Sequence, residues 1–139
     1  MSIKKDAQTA HANLLEKTDP EALERINHFA FDEVQADVDL PDRTKMLSTL
    51  AYLLGMQGVD EYKVMLPVAL DNGVSPIEAK EVLYQAVDYL GLGRVFPFFK
   101  ATNDVLRARG VEMPLPSQSI TTMDNRLEKG EETQIRLFG

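Results

Sequence analysis

Glu81, Gln85 and Tyr89 recur at intervals of four in the segment PIEAKEVLYQAVDYL. On a helix that spacing lines up a carboxylate, an amide and a phenol along one face. They would edge an apolar stripe that includes Val82, Leu83, Ala86 and Leu90. A carboxylate can move a proton, and an amide and a phenol can orient an oxygen-bearing ligand. Two readings stand side by side. The line is either a solvated or subunit-bridging edge, or a few convergent polar groups in the apolar wall of a small-molecule pocket. Arg94, just past Gly91-Leu92-Gly93, offers a positive charge to an anionic ligand, or to the C-terminal end of the preceding helix.

The remaining reactive groups are few. Of the two histidines, His11 falls in a weakly patterned N-terminus and His28 beside an apolar stripe. No HxxxH, HxH or ExxH spacing occurs, so neither a metal nor another cofactor is expected. Cysteine is absent, which excludes disulfides, thiolate ligands and thiol nucleophiles within the chain. Glu78 is accounted for as the third residue of a capping box opened by Ser75, and Asp60 as a helix-start acid beside Glu61. No serine lies in a nucleophile motif, and Gly91 with Gly93 is too little for a phosphate loop.

The elements that must position these groups read as helices almost throughout. Asp19-Pro20 starts one, with Leu23, Ile26, Phe29, Ala30 and Val34 at spacings of three and four. Asp39-Leu40-Pro41 opens a second, whose apolar residues from Met46 to Leu54 spread widely enough to predict near-complete burial. A third runs from Asp60 to Asn72-Gly73, with Tyr62, Met65, Leu66, Ala69 and Leu70 inward and Pro67 as a bend. Ser75-Pro76-Ile77-Glu78 begins the fourth, which Gly91 ends. A fifth spans about 94–109, with Pro97 at its first turn or a kink and Gly110 as terminator. MPLPSQS reads as an extended connector to a last helix ending in Ile135, Leu137 and Phe138, apolar residues suited to docking on a neighbour. The expected fold class is all-α, a compact domain of about six helices spanning 1–139.

Bulk properties narrow the partners. At 139 residues the chain can bury a core of its own. A formal charge of −7 argues against nucleic acid and anionic membranes, and no apolar run is long enough to span a bilayer. A cytoplasmic location is the expectation.

The order of features in ALDNGVSPIEAKEVLYQAVDYLG, set behind an Arg-led apolar helix from Arg43 to Leu54, resembles the carboxymuconolactone decarboxylase family, which includes the alkylhydroperoxidase D-like proteins. The likeness is strongest over 42–110. It implies an alkylhydroperoxidase D-like helical bundle assembled as a dimer, trimer or hexamer, with sites near subunit contacts. The alkylhydroperoxidase branch uses a CxxC pair, a histidine and an upstream glutamate. Their places here are Gly58, Glu61, Met65 and Met46, so that thiol chemistry is not retained. The lactone decarboxylase branch carries histidines at the Met65 and Gln85 places, and its YxGxP becomes Tyr89-Leu90-Gly91-Leu92-Gly93. Methionine transfers no proton and glutamine is no base near neutral pH.

The resemblance therefore implies a small carboxylated or carbonyl-bearing ligand, held between the third and fourth helices, with decarboxylase-type acid–base chemistry moved to other groups. Glu81 and Glu61 are the acid–base candidates. Gln85, Tyr89, Arg94, Met65 and Tyr62 are the ligand-contact candidates. The alternative is a non-catalytic oligomeric binding or scaffold protein that kept the fold and lost the reaction.

Overall fold

The structure is a computed structural model describing residues 3–139. Helix α1 is Ile3–Leu15 and α2 is Pro20–Asn27, which runs on without a break into a π-helical segment, His28–Val34, and a last turn, Gln35–Asp37. Then follow α3 (Asp42–Gly55), α4 (Val59–Asp71), α5 (Pro76–Leu90), α6 (Leu92–Ala108) and α7 (Arg126–Phe138). No strand forms among the described residues. The fold is all-α.

Helix α4 is the central element. It packs on α1, α3 and α6, while α5 packs on α3 and α6. Its residues Tyr62, Met65, Leu66, Val68 and Ala69 are all buried. Pro67 sits within this helix at a half-buried position, so one backbone donor is missing there. The core around it is built from Met46, Leu50 and Leu54 of α3, Leu83 of α5, and Val95 and Phe98 of α6.

Local chemistry sets the helix boundaries. The Ser75 hydroxyl accepts from the Glu78 amide at 3.2 Å, and the Ser75 amide donates to Glu78 Oε2 at 2.8 Å, forming the expected capping box. Arg43 of α3 pairs with the other Glu78 oxygen and ties the start of α5 to α3. Gly73 and Gly91 take φ of 96° and 81°, turning the chain sharply at both ends of α5 where a side chain would be strained. Arg109 donates to both carboxylate oxygens of Asp71, each at 2.8 Å, and joins the ends of α4 and α6. That guanidinium holds the Asp71 carboxyl below the usual carboxylate range.

The structure departs from the sequence pattern at several places. The weakly patterned N-terminus forms α1, which buries Ile3, Ala7 and His11 at spacings of four and packs on α4. The Asp19 side chain makes no capping bond. The second predicted helix is not buried all round, since Tyr52 of α3 is 61% exposed. The stripe from Leu23 to Val34 is buried only in part: Ile26, Phe29 and Val34 are exposed, and from His28 the chain runs in the wider π register, which turns the later apolar residues off the face of the earlier ones. At the other end of the chain, no residue of α7 is buried, and Leu127, Ile135, Leu137 and Phe138 are exposed.

Candidate functional site

The residues named from the sequence do not converge on one pocket between α4 and α5. Those helices are joined by the tight Asn72-Gly73 turn and pack on α3 and α6, only weakly on each other. Their candidate side chains are therefore distributed among three separate depressions.

Glu61 and Met65 line the first. It is a cavity of about 500 Å³ whose wall also includes His11 of α1, Thr49, Tyr52 and Leu53 of α3, and Phe29, Ala30, Phe31 and Val34 of the π segment. His11 was not among the residues singled out for chemistry, yet it is 8% exposed and its Nε2 lies 2.6 Å from Glu61 Oε1. The Glu61 side chain keeps 43% of its exposure, so the pair has one buried end and one that solvent or a ligand can reach. His11 Nδ1 is shielded from solvent and has no hydrogen-bond partner among the described residues. With the ε nitrogen donating to the carboxylate, the δ nitrogen is left with a free lone pair.

The geometry of α1 fixes this imidazole. Asp6 accepts from the Asn72 side chain at 3.1 Å and Lys4 pairs with Asp32, so α1 is tied to the end of α4 and to the π segment on either side. The signal that could have found it is the Ile3, Ala7, His11 repeat. It is a helical stripe whose members are too small or too polar to stand out as an apolar face.

Gln85 and Tyr89 line the second depression, an apolar groove of about 350 Å³ between α3 and α5 with Ala51, Leu54, Gly55, Val82, Ala86 and Leu90. Tyr89 is 81% exposed, and neither side chain has a hydrogen-bond partner among the described residues. Glu81 lies in the third, a cleft of about 460 Å³ under the connector 115–119. The line Glu81, Gln85, Tyr89 exists as an edge of α5, but its members face different depressions. Arg94 is exposed at the first turn of α6 and lines none of the three.

Tyr62 is placed in the core, not at a cavity wall. Its ring is fully buried against Phe98, edge-on at 5.1 Å between centroids, and its hydroxyl lies 3.0 Å from Thr102 Oγ1. Burial pushes the phenol up to about 12, with the Thr102 bond acting the other way. It is a packed structural group rather than a ligand contact. Among the described residues no group of three or more His, Asp or Glu side chains is arranged to hold a metal ion, and no helix is long and apolar enough to cross a membrane.

One cavity thus gathers a carboxylate, an imidazole and an apolar wall, which is sufficient for proton transfer to or from a small organic ligand. Two of its members, Glu61 and Met65, stand at places where the resemblance puts a cysteine and the family histidine. The imidazole is present again, carried in by a different helix.

The 4-carboxymuconolactone decarboxylase of Acinetobacter baylyi is 37% identical over 67 residues, which is 48% of this chain and 50% of that protein. The chain therefore aligns with about half the length of the curated relative. The profile of the carboxymuconolactone decarboxylase family matches residues 20–104, from the start of α2 into α6, and leaves α1 with His11 outside the match. With that match over more than half its length and an all-helical fold, the chain belongs to the carboxymuconolactone decarboxylase family.

Proposed function

We propose that this protein binds a small carboxylated or carbonyl-bearing metabolite in the His11–Glu61–Met65 cavity and moves a proton on it in a decarboxylase-type reaction. The observation that carries this reading is the His11–Glu61 contact of 2.6 Å at the edge of an apolar cavity. An imidazole–carboxylate pair that takes up one proton is neutral overall, and when it gives the proton up the remaining negative charge rests on Glu61, the end that reaches solvent. Glu61, the accessible end, is the group a ligand meets; His11 behind it holds the carboxylate in place and shares the proton. Loss of carbon dioxide from a β-keto or lactone acid leaves a carbanion or enolate carbon, which a protonated Glu61 would quench.

A second reading has its own observation. Met46 and Met65, at the places of the family's glutamate and histidine, are 0% and 5% exposed and belong to the core cluster. Groups that moved protons have been replaced by packing groups, as expected of a binding protein that kept the fold alone.

A thermal-shift screen against small lactone acids, β-keto acids and their products tests where such a ligand binds, and carbon dioxide release from a hit separates the two readings. A ligand at a hundred times its dissociation constant adds about 2.7 kcal/mol to stability, a visible rise in melting temperature. The expected result is a hit that disappears when Ala30→Phe fills the cavity and survives Gln85→Leu. A hit lost with Gln85→Leu and kept by Ala30→Phe would move the site to the α3–α5 groove.

A further inference from the structure

Lys80 on α5 is buried without a carboxylate partner. It is 8% exposed, its Nζ donates to Asn103 Oδ1 of α6, and the ammonium lies 5.7 Å from the centroid of the Phe99 ring. Lysines are seldom buried unless paired with an acid, and among the described residues this one makes no ion pair. It lines the cleft of about 460 Å³ whose floor is Ile77, Glu81 and Tyr84 and whose roof is the connector from Leu115 to Ser119. That cleft shares no residue with the His11 cavity.

We propose that Lys80 captures a small aldehyde or 2-oxo acid as an imine in this cleft. Amine nucleophiles must be neutral, and Lys80 is moved towards that form, although the Asn103 oxygen and the Phe99 ring face also suit the ammonium. Desolvation, and next the charge of Arg107 on α6, hold the Lys80 ammonium below the usual lysine range. The groups facing it are suited to the rest. In the roof the Gln118 amide donates to the Pro116 carbonyl and the Ser119 hydroxyl to the Thr121 carbonyl, which leaves the Ser117 O–H and the second Gln118 N–H to hold a ligand oxygen, with no ionisable side chain beside them. Glu81 is the acidic group lining the cleft.

The step balances within these groups. The Nζ lone pair adds to the carbonyl carbon, the carbon–oxygen double bond opens, and an N–H proton passes to the oxygen to give a carbinolamine. Glu81 then protonates the departing hydroxyl, water leaves, and the nitrogen lone pair forms the C=N bond of a protonated imine. Nothing is oxidised or reduced, and Glu81 recovers its proton from solvent.

The test treats the full-length protein with glyoxylate and sodium cyanoborohydride near pH 7, so that any imine is reduced by the added hydride to a stable carboxymethyl-lysine, and maps the product by peptide mass spectrometry. The chain has eight lysines, and Lys80 is the one of them classed as buried. Burial alone therefore predicts that it is labelled last; the proposal predicts that it is labelled first. Arg107→Leu should move the pH of half-maximal Lys80 labelling upward and leave Lys4, Lys5 and Lys17 on and after α1 unchanged, with circular dichroism confirming the fold; Lys100, which shares Asp104 with Arg107, is not a control. Labelling that follows exposure, with Lys80 slowest, overturns the proposal, as does a Lys80 pH profile that Arg107→Leu does not move.

Discussion

Glu61→Gln is expected to lower turnover of the cavity's ligand by about 10²- to 10⁴-fold, the usual contribution of a positioned acid–base group. Glutamine keeps the size of the side chain and an oxygen to accept from His11 Nε2, so binding should change little. What it loses is the capacity to carry a proton. The kinetic signature is therefore a fall in kcat with KM nearly unchanged, followed as carbon dioxide release. Melting temperature should stay within a few degrees, because the amide oxygen of Gln keeps the contact with His11 Nε2 and the Glu61 side chain is already half-exposed. Turnover that persists in Glu61→Gln would remove this carboxylate from the chemistry. Ligand binding without turnover in the native protein would establish the non-catalytic reading.

Phe98→Ala should produce the largest loss of stability of any single change in the helix packing. Phe98 is 1% exposed and stands edge-on to Tyr62 between α4 and α6. Truncation removes the buried ring and leaves a void that the surrounding helices can close only in part, a combination worth about 3–5 kcal/mol. Chemical denaturation should show that fall at unchanged m-value, and the melting temperature should drop by roughly 10 °C or more. The variant also bears on Tyr62. Its phenol titrates at about 12 because it is buried, so the native state resists ionisation that the unfolded chain undergoes near 10. The folded pKa is the higher one. The stability linked to it is present below pH 10 and is lost as pH rises from 10 towards 12. Opening the space beside Tyr62 should flatten that alkaline loss. A Phe98→Ala protein as stable as the native one would mean that α4 and α6 are not held together here.

The helices of the core were legible in the sequence because their signals are local. The Ser75-Pro76-Ile77-Glu78 box, Gly91 and Gly110 each act within one turn of chain, and the structure uses them as read. The site was legible only by halves. Glu61 was named because the family pattern drew attention to its position, and it does line a cavity. His11 escaped because the Ile3, Ala7, His11 repeat that carries it is too small and polar to read as an apolar face. Its role depends on α1 folding back on α4, fifty residues along the chain, a tertiary event held by Asp6–Asn72 and Lys4–Asp32. Gln85 and Tyr89 share a helix edge with Glu81 as their spacing required, but spacing along α5 says nothing about which neighbour each residue faces. The π register at His28–Val34 was likewise hidden, since it changes the face presented by Phe29 and Ala30 without any proline or glycine to announce it.

The central claim is that ligand binds beside Met65, Glu61 and His11. Methionine methyl NMR reads it directly. With the six methionines carrying ¹³C-methyl groups and the Met65 signal assigned through Met65→Leu, the protein is titrated with the lactone acids, β-keto acids and products of the screen. A binding compound is expected to shift the Met65 methyl and leave the exposed Met56 and Met123 in place. A compound that binds by calorimetry without moving Met65 would contradict it.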